Sequence, residues 1–226
     1  MIEKIPHHLG IIVDGNRRWA EAKGLPSFEG HRQGLEKVKK IVGWCLDRGI
    51  KVLTLFLFST ENWSRPKREI NYLMRLAKVA INDDLEELHK KGIKVKVIGQ
   101  KERLPRSLWG VIDKAENLTK DNEKMILNFA MSYGGRAEIV EALKNIIKKK
   151  VSPAEINEEL IKENLWTSDV DLIIRTGKEQ RISNFLIWQG AYSELYFSPK
   201  YWPDFTEKDL DAAISDYKQR QRRFGK

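Results

Sequence analysis

Three short polar segments, each directly after an apolar run, hold the residues best suited to chemistry. The first is Asp14-Gly15-Asn16-Arg17-Arg18-Trp19. The second is Ser59-Thr60-Glu61-Asn62-Trp63-Ser64-Arg65-Pro66. The third is Arg175-Thr176-Gly177-Lys178-Glu179-Gln180-Arg181-Ile182-Ser183-Asn184. Each brings guanidinium groups together with hydroxyls, amides or glycine, and arginine forks and free backbone amides bind phosphate oxygens. One such segment alone reads equally well as a turn or a helix cap. Three on one scaffold point to a phosphorylated ligand with more than one phosphate group. The nucleotide loops GxxxxGK[ST] and GxGxxG are missing, and so are HExxH and cysteine spacings for zinc. His7-His8 reads as a solvated pair, His31 as a helix start or a ligand contact, and His89 as helix surface.

The elements that must position these segments alternate along the chain. Strands are expected at residues 9–13, 51–58, 93–98, 124–130, 170–174 and 194–197. Helices are expected at 36–48, 67–91, 104–118 and 136–150, after the capping box Ser152-Pro153-Ala154-Glu155, and after Thr206. The acidic run Asn82-Asp83-Asp84-Leu85-Glu86-Glu87 reads as a solvated helix face. Strands separated by long helices require crossover connections. The pattern therefore implies an α/β fold, a single domain over residues 1–226, with a mainly parallel sheet of about six strands flanked by helices. Ligands of such sheets bind beyond the carboxyl ends of the strands, where the three segments lie.

Composition narrows the setting. Of 226 residues, 41% are hydrophobic, which excludes a disordered chain. The single cysteine, Cys45, lies in an apolar stretch and reads as a buried thiol. The first residues lack a signal-peptide core, and the apolar run at 52–58 falls far short of the roughly 20 residues of a membrane span. A cytoplasmic protein is the expectation. The 41 Lys+Arg against 32 Asp+Glu give a net charge of +9, which calls for an anionic partner. A nucleic-acid module would carry a basic stripe interleaved with aromatics. Here the arginines gather at strand ends around a carboxylate, so nucleic acid is not the expected partner.

Taken in order, these segments resemble the cis-prenyltransferase family over nearly the whole chain. The match runs through His8 to Trp19, Gly30-His31, Phe58 to Pro66, Asn128 to Arg136 and Asp171 to Gly177. It continues through Arg181 to Leu186, Trp188-Gln189, Glu194 to Phe197 and Trp202 to Phe205. The resemblance implies condensation of isopentenyl diphosphate with an allylic diphosphate such as farnesyl diphosphate. It further implies Z double bonds, Mg²⁺, a homodimer and a hydrophobic tunnel. The implied product is undecaprenyl diphosphate, with a shorter Z-prenyl chain or a noncatalytic partner subunit as alternatives.

By the same resemblance Asp14 is the essential carboxylate and holds Mg²⁺, with Glu194 a second metal contact, either within its own subunit or across the dimer. Gly15, Asn16, Arg17, Arg18, His31 and Arg65 would cradle the allylic diphosphate. Arg175, Arg181 and Ser183, with Ile182 beside them, would hold isopentenyl diphosphate. Asn62 would accept the proton or position substrate, and Trp19, Ser59, Thr60, Glu61 and Trp63 would shape the site. Ser27 stands where bacterial members often carry arginine, and Lys178 and Gln180 replace a usual glycine and histidine. Leu57 replaces the alanine of long-chain relatives and, with Phe129, is expected to narrow the tunnel. The basic tail from Lys218 onward is expected near a partner subunit's site or an anionic membrane surface.

Overall fold

The computed structural model describes residues 5–220. β1 (His8–Ile12) leads through a short helix α1 (Asn16–Ala22) into α2 (Ser27–Asp47). β2 (Val52–Ser59) runs into a 3₁₀ turn at Thr60–Ser64, then α3 (Lys67–Asn82) and α4 (Leu85–Lys90). β3 (Ile93–Ile98), α5 (Arg106–Thr119), β4 (Met125–Tyr133), α6 (Gly135–Lys148) and α7 (Glu158–Glu163) follow. β5 (Leu172–Arg175), β6 (Glu194–Phe197) and α8 (Glu207–Gln219) complete the order.

The six strands form one sheet in the order β3-β4-β2-β1-β5-β6, and every pairing is parallel. Central strands of a parallel sheet are buried on both faces and so read as continuous apolar runs. Leu9, Ile11, Leu53 and Leu55 are accordingly fully buried. Alternation along each strand sends Leu9, Ile11, Leu53, Leu55 and Phe129 to a core shared with α2, α3, α5 and α8. Ile12, Phe56, Ala130 and Ile173 face a smaller core with Phe185 and Leu186.

Three local expectations are corrected, and one reading left open is decided. After β1, where a turn and a helix start were both open, Gly15, at φ 101°, starts α1. Because α1 then lies against α2, a Cβ on Gly30 would stand 1.9 Å from the Asn16 carbonyl oxygen, so this crossing accepts only glycine. The helix expected at 67–91 breaks between Asn82 and Leu85. Asn and Asp are weak helix formers because their side chains compete for backbone partners, and Asp84 is drawn 3.1 Å from Lys39 on α2. The capping box at Ser152 opens only a 3₁₀ turn, and Asn157 caps the helix that follows.

His8, finally, is not solvated but fully buried. Its Nδ1 lies 3.0 Å from the Ser168 and Asp169 carbonyls and its Nε2 2.7 Å from Thr54 Oγ1. Since carbonyls only accept, Nδ1 carries the proton, and burial pushes the imidazole pKa down to about 4. Cys45 is buried as expected. No helix among the described residues is long and apolar enough to cross a membrane. Arg223, Phe224 and Gly225 of the basic tail lie outside the described residues.

Candidate active site

Parallel pairing decides what meets at the carboxyl edge of the sheet. Ile12 pairs in register with Arg175, so the segments leaving β1 and β5 emerge side by side. Asp14 Oδ2 accepts from Arg175 Nη2 at 2.9 Å. Its Oδ1 lies 3.1 Å from Arg18 Nη2 and accepts from the Gly15 amide at 2.6 Å. Thr176 fixes this loop from below: its hydroxyl donates to the Asp14 carbonyl and accepts from the Asp14 amide. Gly177 sits at φ 91°, and a Cβ there would stand 3.0 Å from Asp14 Cγ.

Arg175 is nearly buried and acts as the hub of the β5 loop. Nη1 donates to Ser183 Oγ at 2.7 Å and to the Arg181 carbonyl. Ser183 and Asn184 adopt left-handed backbone, at φ 48° and 63°. Such conformations in non-glycine residues persist where surrounding contacts hold them, and they concentrate at functional loops. Glu179 receives Arg18 at 2.8 Å and Arg181 at 2.6 Å, and its hydrogen bond from Arg181 holds its carboxyl below the ordinary range.

After β2 the chain folds into a capping box. Ser59 Oγ accepts from the Asn62 amide, and Asn62 Oδ1 accepts from the Ser59 amide at 3.0 Å. A backbone N–H can only donate, so this bond fixes the Asn62 amide oxygen towards Ser59 and leaves its NH₂ free for a ligand. Glu61 accepts from Thr60 and from Asn184, which ties the second segment to the third. Arg65 donates to Glu69 at 3.0 Å, and the same carboxylate lies 3.5 Å from His31 Nε2 and 3.9 Å from Arg17. Burial lowers the His31 pKa against the opposing pull of Glu69.

These groups open on a cavity of about 940 Å³. Its polar end is lined by Asp14, Gly15, Asn16, Arg17, Arg18, His31, Ser59, Glu61, Asn62, Arg65, Arg175 and Ser183. Its far end is apolar, walled by Leu35 and Val38 of α2, Leu73, Ala77 and Ala80 of α3, and Phe56, Leu57 and Phe58 of β2. Leu35, Val38 and Ala80 also line a second cavity of about 150 Å³, together with Leu127 and Phe129. One chamber therefore joins a cationic mouth to an apolar bore. It suits an amphiphile with an anionic head and a hydrocarbon tail.

Most of the site residues expected from sequence meet here, but six do not line the cavity. Trp19 is buried with its indole N–H on Asp204, and Trp63 donates to Ser132. Thr60 donates to Glu61, and Ile182 packs against the smaller core. Arg181 is exposed and connects through Glu179. Glu194 begins β6 at the end opposite Phe197, the residue paired with Arg175, so this chain's own Glu194 is not brought to Asp14. It pairs instead with Arg220 at 3.1 Å. Sequence reading gave no role to the lining residues Arg136 and Asn184, or to the carboxylates Glu69 and Glu179 that hold the arginines. The spacing of Arg65 and Glu69, four apart at a helix start, was the available signal.

Residues 12–225 match the family model described as "Putative undecaprenyl diphosphate synthase". The chain belongs to this isoprenyl transferase family. It is 46% identical over 233 residues to the isoprenyl transferase of Streptococcus pneumoniae, covering 98% of this chain and 92% of that protein. Two solved prenyltransferase structures superpose over nearly their full length. One is lavandulyl diphosphate synthase from Lavandula x intermedia in complex with dimethylallyl diphosphate. It has a TM-score of 0.94 at 38% identity, covering 98% of this chain and 99% of that one. The other is a probable undecaprenyl diphosphate synthase from Campylobacter jejuni. It has a TM-score of 0.85 at 37% identity, covering 99% and 100%. Both solved structures thus share the fold of this chain over nearly its whole length.

Proposed function

We propose that the chain joins isopentenyl diphosphate to an allylic diphosphate, farnesyl diphosphate being the fitting primer, and extends it to undecaprenyl diphosphate. The observation that carries this reading is the single cavity running from the Asp14 arginine cluster to the apolar wall of α2, α3 and β2. The lining holds five arginines against three carboxylates, an excess suited to a polyanionic head group.

In the reaction the allylic C–O bond breaks, the isopentenyl double bond attacks the freed carbon, and a proton leaves the adjacent C2. Negative charge develops on the departing diphosphate, where fixed guanidinium groups lower the barrier without reorganising. Arg17, Arg18 and Arg65 take the allylic diphosphate, with His31, Gly15 and Asn16 beside it. Arg175, Arg181 and Ser183 hold the isopentenyl diphosphate, and bidentate contacts align the two carbons. Asn62 positions substrate through its NH₂ rather than accepting the proton, since its oxygen is turned to the Ser59 amide and a neutral amide is a poor base. The departing diphosphate is the fitting proton acceptor.

The donor set suits Mg²⁺, which uses one or two protein carboxylates and takes further ligands from water and substrate phosphates. Asp14 supplies such a carboxylate in the cavity. Bound there, Mg²⁺ would neutralise charge on the leaving group. Glu194 would contribute to a metal only from a second copy of the chain. A homodimer is supported by α6, whose Val140, Leu143 and Ile147 form an exposed apolar stripe.

A second reading, a shorter product, is favoured by Leu57 standing in the cavity wall where a smaller side chain would widen the bore. The experiment that tests both is incubation with labelled isopentenyl diphosphate, geranyl or farnesyl diphosphate and Mg²⁺, with products resolved by length. A ladder ending near C55 supports the first reading, an early stop the second, and no product with any primer contradicts both.

A further inference from the structure

We infer that Glu69 is a built-in competitor for the allylic diphosphate: its carboxylate holds Arg65, Arg17 and His31 together in the unliganded enzyme and is displaced when diphosphate binds. The inference rests on the assignment of those three groups to the allylic substrate. No motif singles Glu69 out, and its role follows from where the fold places it.

Glu69 lies in the first turn of α3, while its partners come from three other places. Arg65 precedes α3, Arg17 sits on α1 and His31 on α2. Oε1 lies 3.0 Å from Arg65 Nη1 and 3.5 Å from His31 Nε2, and Oε2 lies 3.9 Å from Arg17 Nη1. The carboxylate is 16% exposed, so solvent screens it less than it would a surface pair. Two guanidinium groups beside an imidazole repel one another unless an anion lies among them. In this structure Glu69 is that anion.

The geometry is also incomplete in a telling way. His31 Nε2 is buried and has no close hydrogen-bond partner, its nearest carboxylate oxygen being Glu69 Oε1 at 3.5 Å. Arg17 is 60% exposed and held only at 3.9 Å. A diphosphate carries several oxygens and more charge than one carboxylate, so it can satisfy all three groups where Glu69 satisfies one well. Exchange of partners lets substrate enter without leaving the cations bare, and the returning carboxylate helps expel product diphosphate. Glu69 is thus a positioning residue that tunes affinity and release without touching the reacting carbons.

The test compares wild type, Glu69→Gln and Glu69→Asp. Binding of inorganic pyrophosphate with Mg²⁺ is followed by calorimetry, and KM and kcat are measured for both substrates. Removing the competing charge in Glu69→Gln should tighten pyrophosphate binding about three- to tenfold, the scale of one or two partly exposed ion pairs. The allylic KM should fall in the same proportion, kcat should fall or hold, and the isopentenyl diphosphate KM should stay within about twofold. Glu69→Asp, which keeps the charge, should remain near wild type. A merely structural glutamate predicts the opposite, weaker binding and a higher allylic KM in Glu69→Gln, and that result or an unchanged affinity overturns the inference. If wild type neither binds pyrophosphate nor turns over, the substrate assignment itself is wrong and the inference falls with it.

Discussion

Asp14 and Arg175 stand 161 positions apart in sequence and form an ion pair of 2.9 Å. Neither reaches the other through a long flexible loop. β1 and β5 are adjacent parallel strands, their register sets Ile12 opposite Arg175, and Asp14 follows two residues later. The reactive edge is therefore as rigid as the sheet itself. Positions held this firmly are what electrostatic stabilisation of a leaving group requires.

Arg175 offers a direct check on that rigidity. Its fork serves Asp14, Ser183 and the Arg181 carbonyl at once, and an ammonium cannot reproduce the planar geometry. Arg175→Lys should raise the isopentenyl diphosphate KM about tenfold or more. It should also lower stability by about 1–3 kcal/mol, because buried acceptors lose partners. Steady-state kinetics and urea titration measure the two effects, and unchanged values in both would show that the hub does not matter.

Leu57 tests the bore. It lines the main cavity, whereas Phe129 lines only the small chamber behind Leu35, Val38 and Ala80. Leu57→Ala should shift the product distribution upward by one or more isoprene units with little change in primer KM. Chromatography of the products decides it, and an identical ladder would remove Leu57 from the determinants of length.

His8 predicts how stability depends on pH. Its folded pKa of about 4 lies below the ordinary 6.5, so between those values the unfolded chain binds more protons. Stability contributed by the neutral, buried imidazole is full above pH 6.5 and is lost as pH falls towards 4. From pH 7 to pH 5 this amounts to about 2 kcal/mol. His8→Asn should be less stable at neutral pH but show a shallower loss over that interval. Equal slopes in urea titrations of the two proteins would contradict the assignment.

The α6 stripe bears on assembly. Ile147 is 69% exposed, with Leu143 and Val140 one and two turns before it on the same helix face. Ile147→Glu should shift a dimer towards monomer in sedimentation experiments while leaving the circular dichroism spectrum unchanged. A dimer that persists undisturbed would move the interface elsewhere.

Much of this was legible in the sequence, and what was not has identifiable causes. Strands such as 52–58 announce themselves because burial on both faces demands an unbroken apolar run. The three polar segments were visible because each follows such a run. The break after Asn82 was hidden, since the apolar spacing of α3 continues into α4 and only the Asp84 contact with Lys39 shows where the helix yields. The burial of His8 was equally hidden, because its partners Thr54, Ser168 and Asp169 come from distant parts of the chain. Glu69 and Glu179 carry no role that spacing alone reveals. Their meaning depends on which arginines the fold brings to them.

The central claim is that Asp14 and the surrounding arginines perform prenyl transfer. The most direct measurement is incorporation of labelled isopentenyl diphosphate by wild type and Asp14→Ala at matched folded concentration, with Mg²⁺ and farnesyl diphosphate. The account predicts a polyprenyl ladder from wild type and a loss of about a thousandfold or more in Asp14→Ala, with its melting temperature little changed. A variant that keeps half the wild-type rate would contradict it.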